Sequence, residues 1–181
     1  MNANKNTHAS HGGPIDVAAI RQAAKKLDDG AIPSGYKGNR EEIVEMLNAA
    51  LATELVCVLR YKRHYYTASG MTNQSIKAEF LEHAQQEEEH ADRIAERIVQ
   101  LDGEPDLNPS TLAQRSHAEY DDSGDIRSMI IANLIAERVA IESYRQMIER
   151  IGDSDPTTRN MLVEIMAVEE EHADDMKDLL D

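Results

Sequence analysis

A chain of 181 residues with few Gly and Pro, a single Phe and no Trp is one domain of ordinary size, able to bury a core without disulfides and biased towards helix. Its formal charge of −15, from 19 basic against 34 acidic residues, disfavours binding to a nucleic-acid backbone and concentrates cations instead. No apolar run reaches the length of a membrane span and no charged-then-apolar segment opens the chain, while the lone Cys57 cannot form an intrachain disulfide; cytoplasmic residence is expected.

Met1–Pro14, rich in Asn, His, Ser and Gly, reads as a mobile arm whose His8 and His11 are incidental to metal binding. Ile15–Leu27 is a short amphipathic helical segment, stopped by Asp28-Asp29-Gly30 and Pro33-Ser34-Gly35, that packs outside the body or on a neighbouring subunit. Residues 1–38 are thus expected as an arm with a short helix, and 39–181 as a helical bundle. The first long helix begins at Asn39, where Glu42 completes a capping box, and runs to about Ala68. Its inward stripe is Ile43, Leu47, Leu51, Val58 and Tyr61. A second helix spans about Asn73–Leu101 and stops at Asp102-Gly103. The link Glu104–Asp125 holds a helical turn or two within Ser110–His117. A third helix covers Ile126–Ile151, up to Gly152. A fourth starts at the Asp155 cap with Pro156 in its first position and continues to Asp181. Short turns make two antiparallel hairpins, and the long link lets the second and third helices run parallel. The predicted fold is therefore all-α: a four-helix bundle of two hairpins with a long crossover.

The hexapeptide Glu-Glu-Glu-His-Ala-Asp occurs twice, as Glu87–Asp92 and Glu169–Asp174. Each copy follows, at nearly the same distance, a lone glutamate in an apolar helical stretch: Glu54 in the first half and Glu137 in the second. Ala52–Tyr61 aligns with Ile135–Tyr144, so one hairpin is used twice. Glu and His three apart share a helix face, with Cβ atoms about 5–6 Å apart, so each pair can grip one ion. A buried lone carboxylate is costly unless paired or bound to metal. The alternative for each is a helix-edge glutamate with its head in water. Together, Glu54, Glu87, His90, Glu137, Glu169 and His172 make a six-ligand set for two metal ions. Carboxylate with imidazole and no thiolate suits iron, manganese or zinc and argues against a structural zinc site. Four clustered carboxylates should repel one another when no metal is bound, so removal of one is expected to leave the metal-free fold no less stable. Glu88, Glu89, Glu170 and Glu171 face away and are expected at the surface.

The stretches Leu47–Tyr66, Glu87–Leu101 and Met161–His172 resemble bacterioferritin and its shorter relatives, within the ferritin-like di-iron carboxylate superfamily. That resemblance implies a ferritin-like bundle and makes the six residues ferroxidase ligands, with Glu87 and Glu169 bridging two iron ions per subunit; manganese or zinc could replace them in crystals. It implies Fe(II) oxidation by dioxygen or hydrogen peroxide and iron storage in a hollow homo-oligomeric cage. It also matches Tyr61 to a tyrosine able to donate an electron, against the alternative of an aromatic filling the core; Tyr144 reads as packing. Where bacterioferritin has its haem-ligating methionine this chain has Glu88, so no haem is expected. The printed sequence stops with the fourth helix and its link is longer than in bacterioferritin. Both features resemble Dps-type mini-ferritins, especially the Dps-like branch with its site inside each subunit, so a cage of about twelve subunits is favoured over about twenty-four. A rubrerythrin-like di-iron peroxidase is the alternative. It would need a further carboxylate where Ala140 stands, and no Cys-x-x-Cys module is present. A Dps-type DNA-protecting role would need a basic arm, for which Lys5, Lys25 and Lys26 are too few.

Overall fold

The computed structural model describes residues 15–70 and 73–181. The arm expected over Met1–Pro14, with Lys5, His8 and His11, lies outside the described residues. A division between compact units falls between Gly35 and Tyr36. In the first unit α1 (Val17–Ala23) is capped by Asp16, which accepts from the Ala19 amide at 3.0 Å, and none of its residues is buried.

The second unit holds α2 (Arg40–Thr67), α3 (Gln74–Gln100), the one-turn α4 (Leu112–Arg115), α5 (Ile126–Ile151) and α6 (Pro156–Asp178). Among the described residues there is no strand. Local chemistry sets most boundaries. Asn39 Oδ1 accepts from the Glu42 backbone amide at 3.4 Å while its side-chain Nδ2 donates to the Glu42 carboxylate at 3.2 Å, so both contacts at the start of α2 run through the Asn39 side chain. Asp125 caps α5 through the Ser128 amide at 2.9 Å. α5 ends at Gly152, whose φ of 53° suits glycine. α6 ends at Asp178, short of the expected Asp181. At the end of α3 the left-handed residue is Asp102, with φ 62°, and not the glycine after it. Gly103 is needed for space: a Cβ there would lie 2.7 Å from a methyl of Val44 on α2.

Contacts between named residues give the helix directions. Along α2, Glu54 lies by His90 and Tyr61 by Phe80, so α3 runs antiparallel to it. Glu54 also meets Tyr144 and Tyr61 meets Glu137, so α5 is antiparallel to α2 and parallel to α3. Pairing of Arg93 with Glu164 and of His172 with Gln86 sets α6 antiparallel to α3. The result is an all-α four-helix bundle of two hairpins joined by a crossover.

That crossover is laid along α2 by polar contacts. Asn48 donates to the Glu104 carbonyl at 3.1 Å, the Thr53 hydroxyl accepts from the His117 amide at 2.9 Å, and Arg63 donates to the Ser123 carbonyl at 2.9 Å. This cover explains why α2 buries more than its expected stripe. Ile43, Leu47, Leu51, Val58 and Tyr61 are buried, and so are Thr53, Val56, Cys57, Arg60 and His64. Phe80, Ile94, Ile98, Met129, Leu162 and Ile165 complete the apolar interior. At the far end, Asp155 caps α6 through the Thr158 amide at 2.9 Å, receives Arg97 of α3 at 3.0 Å on both oxygens, and accepts from the Tyr36 hydroxyl at 2.7 Å. One carboxylate thereby ties a helix start to a helix end.

Candidate metal centre

The six acid and imidazole side chains singled out from the sequence all point into the middle of the bundle, and all six are buried. Glu54 comes from α2, Glu87 and His90 from α3, Glu137 from α5, and Glu169 and His172 from α6. They form two overlapping groups in which one donor atom from each residue lies within 4.8 Å of the others: Glu54, Glu87, His90 and Glu169, and Glu87, Glu137, Glu169 and His172. Glu87 and Glu169 belong to both, which is the position of a carboxylate shared between two ions. His90 Nδ1 stands 3.4 Å from Glu54, 3.6 Å from Glu87 and 2.8 Å from Glu169. His172 Nδ1 stands 3.7 Å from Glu87, 3.9 Å from Glu137 and 3.2 Å from Glu169. Glu88, Glu89, Glu170 and Glu171 are exposed, and Glu88 pairs with Lys62 at 3.1 Å. Ala140 is buried without offering any donor. Of the apolar residues flanking Glu137, Ile135 turns out to be exposed, because α5 shows that face to the surface.

These short separations are not matched by hydrogen bonds. Glu54 Oε2, Glu87 Oε1, Glu137 Oε2, both oxygens of Glu169, His90 Nδ1 and His172 Nδ1 are buried with no hydrogen-bond partner. Close approach without donor geometry, repeated over one cluster, is what metal ligands show when an ion and not a proton joins them. The outer atoms, by contrast, are held. His172 Nε2 meets Gln86 Oε1 at 2.8 Å, a contact that sets the ring's orientation and turns Nδ1 inward. The Tyr61 hydroxyl donates to Glu137 Oε1 at 2.5 Å, and the Tyr144 hydroxyl donates to Glu54 Oε1. Tyr144 is therefore not mere packing: the repeat gives both tyrosines the same task on opposite halves.

Electrostatics follow from burial and crowding. Burial, with repulsion from Glu169 and Glu87, pushes Glu54 well above the ordinary carboxylate range; burial, Glu87 and Glu169 do the same to Glu137. Burial would also raise Glu87, but contacts with His172, His90 and Glu54 outweigh it and hold that carboxyl far below its usual value. Burial opposes charge on the imidazoles, yet the carboxylates around them raise His90 to about 12 and His172 to about 10. In the metal-free cluster the imidazoles thus offset the carboxylates in part, alongside the carboxylate repulsion expected from the sequence.

Three neighbours escaped the sequence reading. Arg60 is fully buried, donating from Nε to Asn133 Oδ1 at 2.8 Å and from Nη1 to the Glu119 carbonyl at 3.3 Å, with Nη2 3.9 Å from Glu137. Gln86 precedes Glu87 and reads as surface until α6 is placed beside it. His83 is buried against the hydroxyl of Tyr61, its ring stacked on His172 with centroids 4.0 Å apart. Burial and the neighbouring His172 lower His83 to about 4, so it is neutral. A signal for His83 was present: with Glu79, Glu87 and His90 it occupies one stripe of α3 at helical spacing.

Residues 44–181 match the ferritin-like domain family. The chain is 28% identical over 169 residues to the DNA protection during starvation protein of Halobacterium salinarum, covering 91% of this chain and 85% of that protein. It is 27% identical over 146 residues to bacterioferritin of Brucella melitensis, covering 77% and 83% respectively. Among solved structures, the bacterioferritin-related protein of Bacteroides fragilis, described as a dodecameric thioferritin, superposes with a TM-score of 0.76 at 33% identity, over 80% of this chain and 87% of that one.

Proposed function

The chain belongs to the ferritin-like family, and on that footing we propose that it binds two iron ions per subunit and oxidises Fe(II) with dioxygen or hydrogen peroxide, storing the ferric product inside a homo-oligomeric cage. The observation that carries this reading is the set of buried oxygens and nitrogens of Glu54, Glu87, His90, Glu137, Glu169 and His172 left without hydrogen-bond partners. Leaving that many polar atoms unsatisfied costs several kcal/mol, at about 1–3 kcal/mol each, unless cations take them up.

Fe(II) is the substrate. Four carboxylates offer −4, which balances two divalent ions and tolerates a further rise in their charge. Glu87 and Glu169, common to the two groups, would be shared between both ions. Glu54 with His90 completes one side, and Glu137 with His172 the other. Gln86 fixes the His172 ring, and the tyrosine hydroxyls orient the two lone glutamates. Burial raises Tyr61 well above the ordinary phenol range, with Glu137 adding to it, so the hydroxyl stays protonated and can give up a proton together with an electron. No helix among the described residues is long and apolar enough to cross a membrane.

A cage of about twelve subunits is the assembly this reading favours, supported by the dodecameric relative from Bacteroides fragilis. We do not extend the role of the relatives named for DNA protection to this chain, because a formal −15 opposes the Lys/Arg–phosphate contacts whose counterion release holds DNA at physiological salt. Plasmid mobility should stay unshifted at ~150 mM salt. Haem is not expected, since Glu88 is an exposed partner of Lys62; purified protein should lack a Soret band.

The test is anaerobic Fe(II) titration followed by mixing with oxidant, together with particle mass. Two Fe(II) oxidised rapidly per subunit, in a particle of about twelve chains of 20.2 kDa, is the expected result. Two irons in a small dimer with preferential peroxide reduction would move the assignment to the rubrerythrin-like alternative.

A further inference from the structure

Among the described residues, one further group of ligand-type side chains lies beyond the six-residue centre, where the bundle meets solvent. Glu79 and His83 are one turn apart on α3, and Asp175 faces them from α6; one donor atom from each lies within 4.8 Å of the others. The imidazole is buried, whereas the Glu79 and Asp175 side chains are 35% and 52% exposed. The group therefore opens outward through its carboxylates and closes inward on its histidine.

We propose that Glu79, His83 and Asp175 form a third cation site that takes one divalent ion of the Fe(II), Zn(II) or Mn(II) class from solvent.

The ring's hydrogen bonds decide which nitrogen is free. Tyr61 spends its proton on Glu137, so its oxygen accepts from His83 Nδ1, 3.2 Å away. With Nδ1 donating to that oxygen, Nε2 is the nitrogen that faces Glu79 Oε1 and Asp175 Oδ2. Both oxygens stand 3.4 Å from Nε2. That is longer than the usual N–H···O separation of about 2.9–3.0 Å. It matches the edge of a tetrahedron, about 3.4 Å, spanned by ligands bonded to one ion at about 2.1 Å. Three ligand-type atoms thus converge, one from each residue. An imidazole ligand whose other nitrogen donates to a fixed oxygen is the usual support for a bound metal. Three protein donors with one side open to water leave room for exchangeable ligands, and the same Tyr61 hydroxyl connects this group to Glu137 of the centre.

As a cation site this group does not depend on the oxidation reading. The test uses Zn(II), which does not change oxidation state. Zn(II) binding to the intact assembly is counted by equilibrium dialysis, and crystals soaked in Zn(II) are measured at the zinc absorption edge. Wild type should bind three ions per subunit, with one anomalous peak between Glu79, His83 and Asp175. The double variant Glu79→Gln, Asp175→Asn, which leaves the buried His83–Tyr61 contact in place, should bind two. The double variant Glu87→Ala, Glu169→Ala should lose the central ions and keep the outer one. Equal Zn(II) counts in wild type and the Glu79→Gln, Asp175→Asn protein, or no peak at His83 Nε2, would overturn the proposal. A wild-type protein that binds the outer ion but no central ions would instead count against the six-residue centre.

Discussion

The hydroxyl of Tyr61 on α2 reaches across the bundle to Glu137 Oε1 on α5, 2.5 Å away. Tyr144 makes the reciprocal contact, from α5 back to Glu54 on α2. Each half of the internal repeat thus orients the other half's lone glutamate, as an approximate twofold axis between the hairpins requires. Loss of such an outer hydrogen bond to a metal ligand typically costs about 10–100-fold in affinity.

Tyr61→Phe and Tyr144→Phe should each weaken one of the two central ions on the order of tenfold, and on opposite sides. Competition titrations with Zn(II) would show this as a split between a tight and a weakened ion. If only Tyr61→Phe also slows steps after the first Fe(II) oxidation, its role includes electron donation; identical oxidation traces for the two variants would confine both to orientation.

Glu87→Ala or Glu169→Ala should reduce rapid Fe(II) oxidation to the background rate, because each residue serves both ligand groups. Stopped-flow absorbance after mixing with oxygen gives the readout, and a wild-type rate in either variant would reject the assignment. In the metal-free fold the carboxylates should respond differently to removal. Relief of repulsion applies to Glu54 and Glu137, whose carboxyls burial and neighbours push up, whereas Glu87 is held down by His172 and His90. Metal-free Glu87→Ala should therefore unfold at lower denaturant than metal-free Glu54→Ala.

Stability of the metal-free protein should fall as pH rises above neutrality. His90 and His172 are raised from 6.5 to about 12 and about 10, so the folded state binds more protons than the unfolded state above pH 6.5. Their contribution is complete below 6.5 and drains away as pH climbs towards those folded values. Glu54 and Glu137, also raised, act in the same direction. Guanidinium midpoints should be lower at about pH 9 than at about pH 6.5 without metal. With Zn(II) present the trend should flatten or reverse, since metal replaces the protons and binds more tightly as they leave.

Asp155→Ala should cost about 3–5 kcal/mol, the range for removing one partner of a buried ion pair. The variant strips the cap of α6 and leaves Arg97 buried beside Thr158 without its carboxylate. Asp155→Asn keeps the cap and loses the charge, so it should fall between wild type and alanine in urea unfolding. Alanine and asparagine variants of equal stability would show that the Arg97 pair, and not the cap, dominates.

The helices and the six central residues were legible in the sequence because their signals are local. Asn39 with Glu42, Asp155 with Pro156, and Glu three before His each act within one helical turn, and the repeat doubles the evidence for the last of them. Inward direction followed from spacing alone, which is why Glu87 and Glu169 could be separated from the exposed glutamates beside them. Other features depended on which helix lies beside which. Arg60 meets Asn133, His83 meets Asp175 and Gln86 meets His172 only after the hairpins are paired, across separations that no helical period spans. The path of the crossover along α2 likewise rests on Asn48, Thr53 and Arg63 finding backbone groups far along the chain. The proton balance of the centre was beyond the sequence for a related reason. Charge and ligand type are properties of residues, but whether a carboxyl keeps its proton depends on its burial and on the distances to neighbours from other helices, which tertiary packing alone sets.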